Sequence, residues 1–230
     1  MRLVVFDLDG TITYRDTLLP YVSGYLARAH RSRLRMLGVL PTLAAFLLGA
    51  ADHGAVKSAF IRNALGGASR EQLAAWTDEF VPWVISQGSS PEALELIKAY
   101  REAGDYLVLM SASTDLYVPQ IGHALGFNEV ICTGVAFSSS GRLAGALTTA
   151  NRRGSEKVRC FRVLAQQHPG LETVAYGNAG SDLPHLVLAD QPRLVNASAR
   201  TIRRAAALGI TPYASWVTSR SAPAKAPGRT

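Results

Sequence analysis

Apolar residues along this chain arrive in short continuous runs separated by longer stretches of mixed polarity. The first run, RLVVFD at residues 2–7, ends abruptly at charge, the pattern of a strand buried on both faces of a parallel sheet. Four later runs repeat it: YLVLMS at 106–111, EVICTGV at 129–135, TVAYGN at 173–178 and RLVN at 193–196. Helical stretches fall between them. SPEALELIKAYREAG at 90–104 opens with Ser90 as a cap and Pro91 at the first helical position, and Gly104 closes it. GSEKVRCFRVLAQQH at 154–168 and SARTIRRAAALG at 198–209 have the same character. Strands alternating with helices predict an α/β fold, a doubly wound, Rossmann-like parallel sheet.

Residues 14–88 break the alternation, because they read as consecutive helices with no convincing strand. The expected organisation is a core of residues 1–13 and 89–214 with a helical cap, 14–88, inserted after the first strand. SSSGRLAGALTT at 138–149 has turn chemistry at Ser140 and Gly141, which predicts a hairpin. Residues 215–230 are rich in Ala, Pro and Ser and are expected to form a disordered basic tail.

Composition narrows the class. At 230 residues and 48% hydrophobic content the chain can bury a full-sized core. Cys132 and Cys160 form no CxxC or Cys/His spacing, so neither a disulfide framework nor a zinc site is indicated, which favours a reducing compartment. No apolar leader with a cleavage site opens the chain, and a cytoplasmic location is expected. The net charge of +7 biases the protein toward anionic partners without selecting among them. Basic residues lack interleaved aromatic platforms, so no nucleic acid is expected as a partner, and no P-loop is present.

The chemistry collects at predicted strand ends, where ligands of open parallel sheets bind. Asp7 and Asp9 follow the first strand, Ser111 ends the second, Asn178 and Asp182 follow the fourth, and Lys157 opens the helix before it. Two carboxylates one residue apart repel each other and cost desolvation unless a cation offsets them. Paired carboxylates suit phosphoryl transfer, in which one attacks phosphorus and the other protonates the leaving oxygen. Taken singly, each has a plainer reading: an Asx turn for the aspartates, a helix cap for Ser111, a solvated charge for Lys157.

Together, DLDGT at 7–11, Ser111 in VLMSAS, Lys157 in GSEK and YGNAGSDLPHL at 176–186 resemble the four motifs of the haloacid dehalogenase-like superfamily. Their order and spacing are similar to the phosphoserine-phosphatase-like branch, subfamily IB, which carries a helical cap between the first two motifs. The resemblance spans residues 1 to about 212 and implies a Mg²⁺-dependent phosphomonoesterase acting on a phosphate ester through an aspartyl-phosphate. It implies Asp7 as nucleophile, Asp9 as general acid and then base, and Ser111, Ala112 and Lys157 as holders of the transferring group. Mg²⁺ would be bound by the Asp7 carboxylate, the Asp9 backbone carbonyl, Asn178 and Asp182. Asn178 departs from the family, which usually has Asp there; the loss of one negative charge weakens the expected metal site and keeps open a catalytically impaired, phospholigand-binding member. Asp9 argues against carbon–halogen cleavage, which needs no acid at that position.

Asp16 stands where phosphoserine phosphatases carry an acidic cap residue that reads the substrate amine; its plainer role is capping a helix that starts near Thr17. His185 replaces a typically apolar residue and reads as packed. From Met36 to Ala51 no residue is charged, whereas Arg28, Arg31, Arg33 and Arg35 crowd the side before it. The run is shorter than the ~20 residues a spanning helix needs, and Pro41 interrupts it. Two readings stay open for residues 28–54: the buried core of a small cap, or a surface resting on an anionic membrane, peripheral on its inner face. The second would bring a lipid phosphate to the site, and this cap resembles that of phosphatidylglycerophosphate phosphatases of the same branch. A small soluble ester such as phosphoserine is the alternative substrate.

Overall fold

The computed structural model describes residues 1–216. Leu3–Phe6 form strand β1, every residue of it fully buried. The chain then runs through helix α1 (Leu18–Arg28), a 3-10 turn (Arg33–Val39), and helices α2 (Leu40–Leu47), α3 (His53–Leu65) and α4 (Arg70–Trp83). Helix α5 (Pro91–Glu102) brings it back to strand β2 (Tyr106–Thr114), followed by α6 (Val118–Leu125), β3 (Glu129–Thr133), β4 (Val135–Phe137) and β5 (Leu143–Leu147). The remainder comprises α7 (Ser155–Gln167), β6 (Thr173–Gly177), α8 (Leu183–Leu186), β7 (Gln191–Val195), α9 (Ala199–Ala206) and β8 (Pro212–Ala214).

Six strands form one parallel sheet in the order β3-β2-β1-β6-β7-β8, an α/β Rossmann-like arrangement. Strand order runs outward from β1 in both directions, so the crevice beyond the carboxyl ends of β1 and β6 is the switch point where such sheets bind ligands. Side chains alternate across the strands into two cores. Val4, Phe6, Leu107, Leu109, Val174 and Tyr176 face the side that also packs α1, α4 and α5, whereas Leu3, Val5, Val108, Met110 and Ala175 face α7 and α8. Phe6 stacks on Tyr176 at 4.3 Å between ring centres. Fully burying a side chain of this size stabilises by roughly 1.5–3 kcal/mol.

The passages out of and back into the sheet layer lie side by side. Thr13 and Ser89 form an isolated antiparallel bridge, Tyr14 N–H donates to the Gly88 carbonyl at 2.9 Å, and Ser90 N–H to that of Ile12 at 3.0 Å. The segments between them are helices joined by turns and irregular stretches, with an isolated bridge from Ser69 to Arg142. Hairpin β4-β5 packs against α3 so closely that a Cβ on Gly145 would lie 2.6 Å from the Arg62 Cα, and Gly145 also has φ +81.

Several expectations change. The run at 129–135 is two strands, because the chain turns at Gly134, whose N–H donates to Thr149 Oγ1 at 2.9 Å, and leaves the sheet for the hairpin. Residues 215 and 216, placed in the expected tail, are ordered: Trp216 is 9% exposed and its indole N–H donates to the Thr11 carbonyl at 2.8 Å, docking the segment after the unanticipated β8 onto the loop that follows β1. The rest of that expected tail lies outside the described residues. The buried-core reading of the apolar run is overturned: no residue of the 3-10 turn or α2 is buried, and Leu34, Leu37, Leu40, Leu47 and Leu48 are 71, 54, 52, 77 and 85% exposed. An apolar helix is a core element only when other surfaces cover it fully, and among the described residues α3 covers this one on part of a single face.

Candidate active site

The carboxyl end of β1 delivers Asp7 into the switch-point crevice, and the following loop turns back at Gly10. Glycine is required there on two counts: φ is +78, and a Cβ would lie 2.1 Å from Asn178 Nδ2. That close approach brings the DLDGT loop against the loop after β6. Asn196 Nδ2 donates to the Gly10 carbonyl at 3.0 Å, holding the turn from a third side.

Lys157, in the first turn of α7, joins the two loops. Its Nζ donates to Asp7 Oδ1 at 2.6 Å and to Asp182 Oδ1 at 2.8 Å, and all three side chains are buried. Thr11 Oγ1 donates to Asp7 Oδ2 at 2.9 Å, while Asp182 Oδ2 accepts the backbone N–H groups of Ala179 and Asn178 at 3.0 and 3.3 Å. Burial pushes the Asp7 carboxyl up; the Lys157 ammonium pulls the other way, and Asp182 and Asp9 add to the upward push. Burial works against the Lys157 charge too, but Asp182 and Asp7 together hold it above the ordinary lysine range. Burial likewise disfavours the Asp182 charge, yet Lys157 keeps that carboxyl below its usual range. A buried charge is tolerated only when paired and hydrogen-bonded, and this triad meets that condition.

Asp9 has a different shell. Its Oδ1 accepts from the backbone N–H and hydroxyl of Thr17, at 2.7 and 2.6 Å, and its Oδ2 from the hydroxyls of Ser113 and Ser111, at 2.6 and 3.3 Å. Ser111 is fully buried and its hydroxyl also accepts from Ser113 N–H at 2.9 Å, whereas Ala112 and Ser113 line the crevice. Asp16 lines the crevice as well, and its Oδ1 caps α1 by accepting from Leu18 and Leu19 N–H at 3.0 and 3.2 Å. His185 packs fully buried, 6.2 Å from the Phe161 ring centre; burial pushes its imidazole down to about 3, so it is neutral.

Several crevice residues escape sequence reasoning, among them Ser113, Lys57 and Asn151. Ser113 shares a strand face with Ser111, and period-two spacing is the signal that finds it. Lys57 on α3 donates to the Ala112 carbonyl at 2.5 Å and to Asn151 Oδ1 at 2.6 Å; burial pushes its ammonium down to about 8, against the opposing pull of Asp9 and Asp16. Lys57 and Asn151 carry no local signal, since their position follows from how α3 packs.

The donor set suits a hard divalent cation. Asp7 and Asp182 would offer carboxylate oxygens, Asn178 an amide oxygen and Asp9 a backbone carbonyl, from the two loops that Gly10 and Asn178 bring together. Among the described residues no three His, Cys, Asp or Glu side chains converge as a metal cage. Mg²⁺ takes one or two carboxylates together with water and substrate oxygens, so this oxygen set would be enough to hold it.

The chain is similar in sequence and fold to several known proteins. Protein CicA of Caulobacter vibrioides is 31% identical over 193 residues, 82% of this chain and 83% of its own. A probable phosphatase of Mycobacterium tuberculosis is 26% identical over 92% of this chain and 74% of its own. A solved Bordetella pertussis protein of unknown function superposes with a TM-score of 0.75 at 26% identity, covering 92% of this chain and 97% of that one. The phospho-aspartyl intermediate analogue of a phosphoserine phosphatase superposes at 0.65 with 15% identity, covering 94% and 93%, a likeness of fold. The model of the haloacid dehalogenase-like hydrolases matches residues 4–186, from the middle of β1 to the end of α8 and through every residue of the crevice triad. With fold, crevice and family match in agreement, the chain belongs to the haloacid dehalogenase-like hydrolase family.

Proposed function

We propose that the protein is a Mg²⁺-dependent phosphomonoester hydrolase whose nucleophile is Asp7. The observation that carries this reading is the single Lys157 ammonium held between Asp7 and Asp182, with Asp9 in the same crevice of about 190 Å³. Relatives described as a probable phosphatase and a histidinol-phosphatase support the same reaction class.

In the first step an Asp7 carboxylate oxygen bonds to phosphorus while the bond from phosphorus to the alcohol oxygen breaks, and Asp9 gives that oxygen its proton. In the second, Asp9 takes a proton from water as the water oxygen bonds to phosphorus; the bond to Asp7 breaks and inorganic phosphate leaves. Lys157 orients Asp7 and neutralises charge gathering on the phosphoryl oxygens. The backbone N–H after Ser111, at Ala112, is the donor we assign to the transferring group; Ser111 and Ser113 hold Asp9. Bound at Asp7, the Asp9 carbonyl, Asn178 and Asp182, Mg²⁺ would offset repulsion between the carboxylates and the phosphate dianion. Asp7→Asn should abolish turnover of phenyl phosphate, by roughly 10³-fold or more, with unchanged circular dichroism. Retained turnover removes the mechanism.

For the ester itself we favour a phosphorylated lipid met at an anionic membrane surface. The exposed leucines of residues 34–48 support it, together with Arg33 and Arg35 beside them. Helix α2 continues toward the crevice, since Phe46 packs 4.7 Å from the ring of His53, which lines it. No helix among the described residues is long and apolar enough to cross a membrane, so the contact would be peripheral. Residues 14–88 would act as the cap over the site, and Asp16 as a specificity residue on its rim. A small soluble ester is the second reading, supported by the fold shared with phosphoserine phosphatases.

A further inference from the structure

The catalytic crevice opens into a second, wider cavity of about 620 Å³, and His53, Asn151, Arg153 and Ser181 line both. The scissile phosphate occupies the first in the reading above, so the alcohol portion of the ester extends into the second. What that cavity offers a ligand is decided by which of its charges are already used. Asp52 is committed to the Ala55 N–H at 2.7 Å, Glu156 is paired with Arg152 at 2.8 Å and Arg159 at 3.1 Å, and Asp16 at the rim caps α1. The cations are not so committed. Lys57 lines the crevice side of the junction, where Asp9 and Asp16 favour its charge, and it donates to two neutral acceptors, the Ala112 carbonyl and Asn151 Oδ1, the latter on a residue that lines both cavities; among the described residues no carboxylate lies within ion-pair distance of Lys57 or Arg153. Helix α7 opens between them with glycine at its N-cap, so no side chain caps its first turn, and Gly154 and Ser155 line the same cavity.

We propose that Lys57 and Arg153, with His53 beside them, form a second anion-binding subsite that holds a negatively charged group carried by the leaving alcohol of the substrate. The group is an oxyanion, either a carboxylate or a phosphodiester. A third Lys57 N–H and the Arg153 guanidinium fork are its donors, and such charge-assisted bonds are strong in a partly enclosed site. The proposal rests on the phosphatase reading for the placement of the scissile phosphate, and it adds that the preferred ester is doubly anionic.

Calorimetric titration of the full chain with saturating Mg²⁺ tests it without requiring turnover. The probes are phenylphosphonate, a carboxyphenyl phosphonate, and a phenylphosphonate bearing a methyl phosphodiester. At least one charged probe should bind roughly tenfold or more tighter than the neutral one, the scale of one charge-assisted hydrogen bond. Preference for the carboxylate assigns a soluble metabolite, and preference for the diester a lipid headgroup. Arg153→Ala and Lys57→Gln should each bring the ratio toward one; because Arg153 is exposed and its side chain unpaired, its variant carries the test even where Lys57→Gln disturbs folding. Equal affinities for all three probes, undetectable binding of all three, or a ratio that survives both substitutions overturns the subsite. Failure of the phosphatase reading shows separately, as wild-type protein that does not hydrolyse phenyl phosphate.

Discussion

Asp9 is bound through one carboxylate oxygen to both the backbone N–H and the hydroxyl of Thr17, at 2.7 and 2.6 Å. Thr17 immediately precedes α1, so the carboxylate assigned to proton transfer is oriented by the first residues of the helical segment that follows β1. The same hydroxyl lies 3.0 Å from Tyr117 OH, which is fully buried at the start of α6. Asp9 is thereby tied through Thr17 to two elements far apart in the chain.

Thr17→Val should therefore lower kcat for phenyl phosphate by roughly tenfold or more, the loss of one hydrogen bond to a charged group. Thr17→Ser should restore most of it. A steady-state comparison of the two variants checks this, and the two behaving alike would remove Thr17 from the positioning of Asp9.

The proposed metal site carries an amide, Asn178, where the family usually has a carboxylate. Asn178→Asp adds a negative charge beside Asp182 and the DLDGT loop and should lower the Mg²⁺ concentration for half-maximal activity, on the order of tenfold. Magnesium titration of activity in both proteins reads this directly. Removing Mg²⁺ with a chelator should stop turnover in both.

Stability should fall in acid partly through one surface-anchored pair. Asp105 accepts the backbone N–H of Arg2 at 2.7 Å and its guanidinium at 2.6 and 3.1 Å. Burial opposes the Asp105 charge, but these bonds outweigh it and hold the carboxyl below its ordinary range. A depressed carboxylate stabilises the fold fully above its unfolded value, about 3.9, and that stability disappears as pH falls through the lower folded value. Asp105→Asn should cost about 1–3 kcal/mol near pH 7, and the difference from wild type should shrink below roughly pH 4. Urea unfolding at the two pH values measures it.

The exposed leucine face predicts reversible binding to anionic vesicles. Flotation with phosphatidylglycerol-containing liposomes should recover the wild-type protein, and Leu47→Glu with Leu48→Glu should release it. These side chains are 77 and 85% exposed, so the substitutions should change the melting temperature little. A wild-type protein that stays with the soluble fraction while hydrolysing a small ester quickly would favour the soluble-substrate reading.

The sequence by itself determined the central strands, their order along the chain, the positions of Asp7, Asp9 and Asp182 beyond their ends and that of Lys157 at the start of a helix. It could do so because a strand covered on both faces needs an uninterrupted apolar run, and because the polar residue that ends such a run marks the ligand-binding edge. Burial of the 36–51 run was not legible, since hydropathy records what a residue prefers and not whether a second surface arrives to cover it. That Asp9 takes its hydroxyl partners from Thr17 and Ser113, 8 and 104 positions away, was decided by packing, as was Lys57's reach to a carbonyl 55 positions on. Trp216 likewise docks on a carbonyl 205 positions earlier. Such pairings depend on which elements the sheet order makes neighbours, and only the tertiary structure decided that.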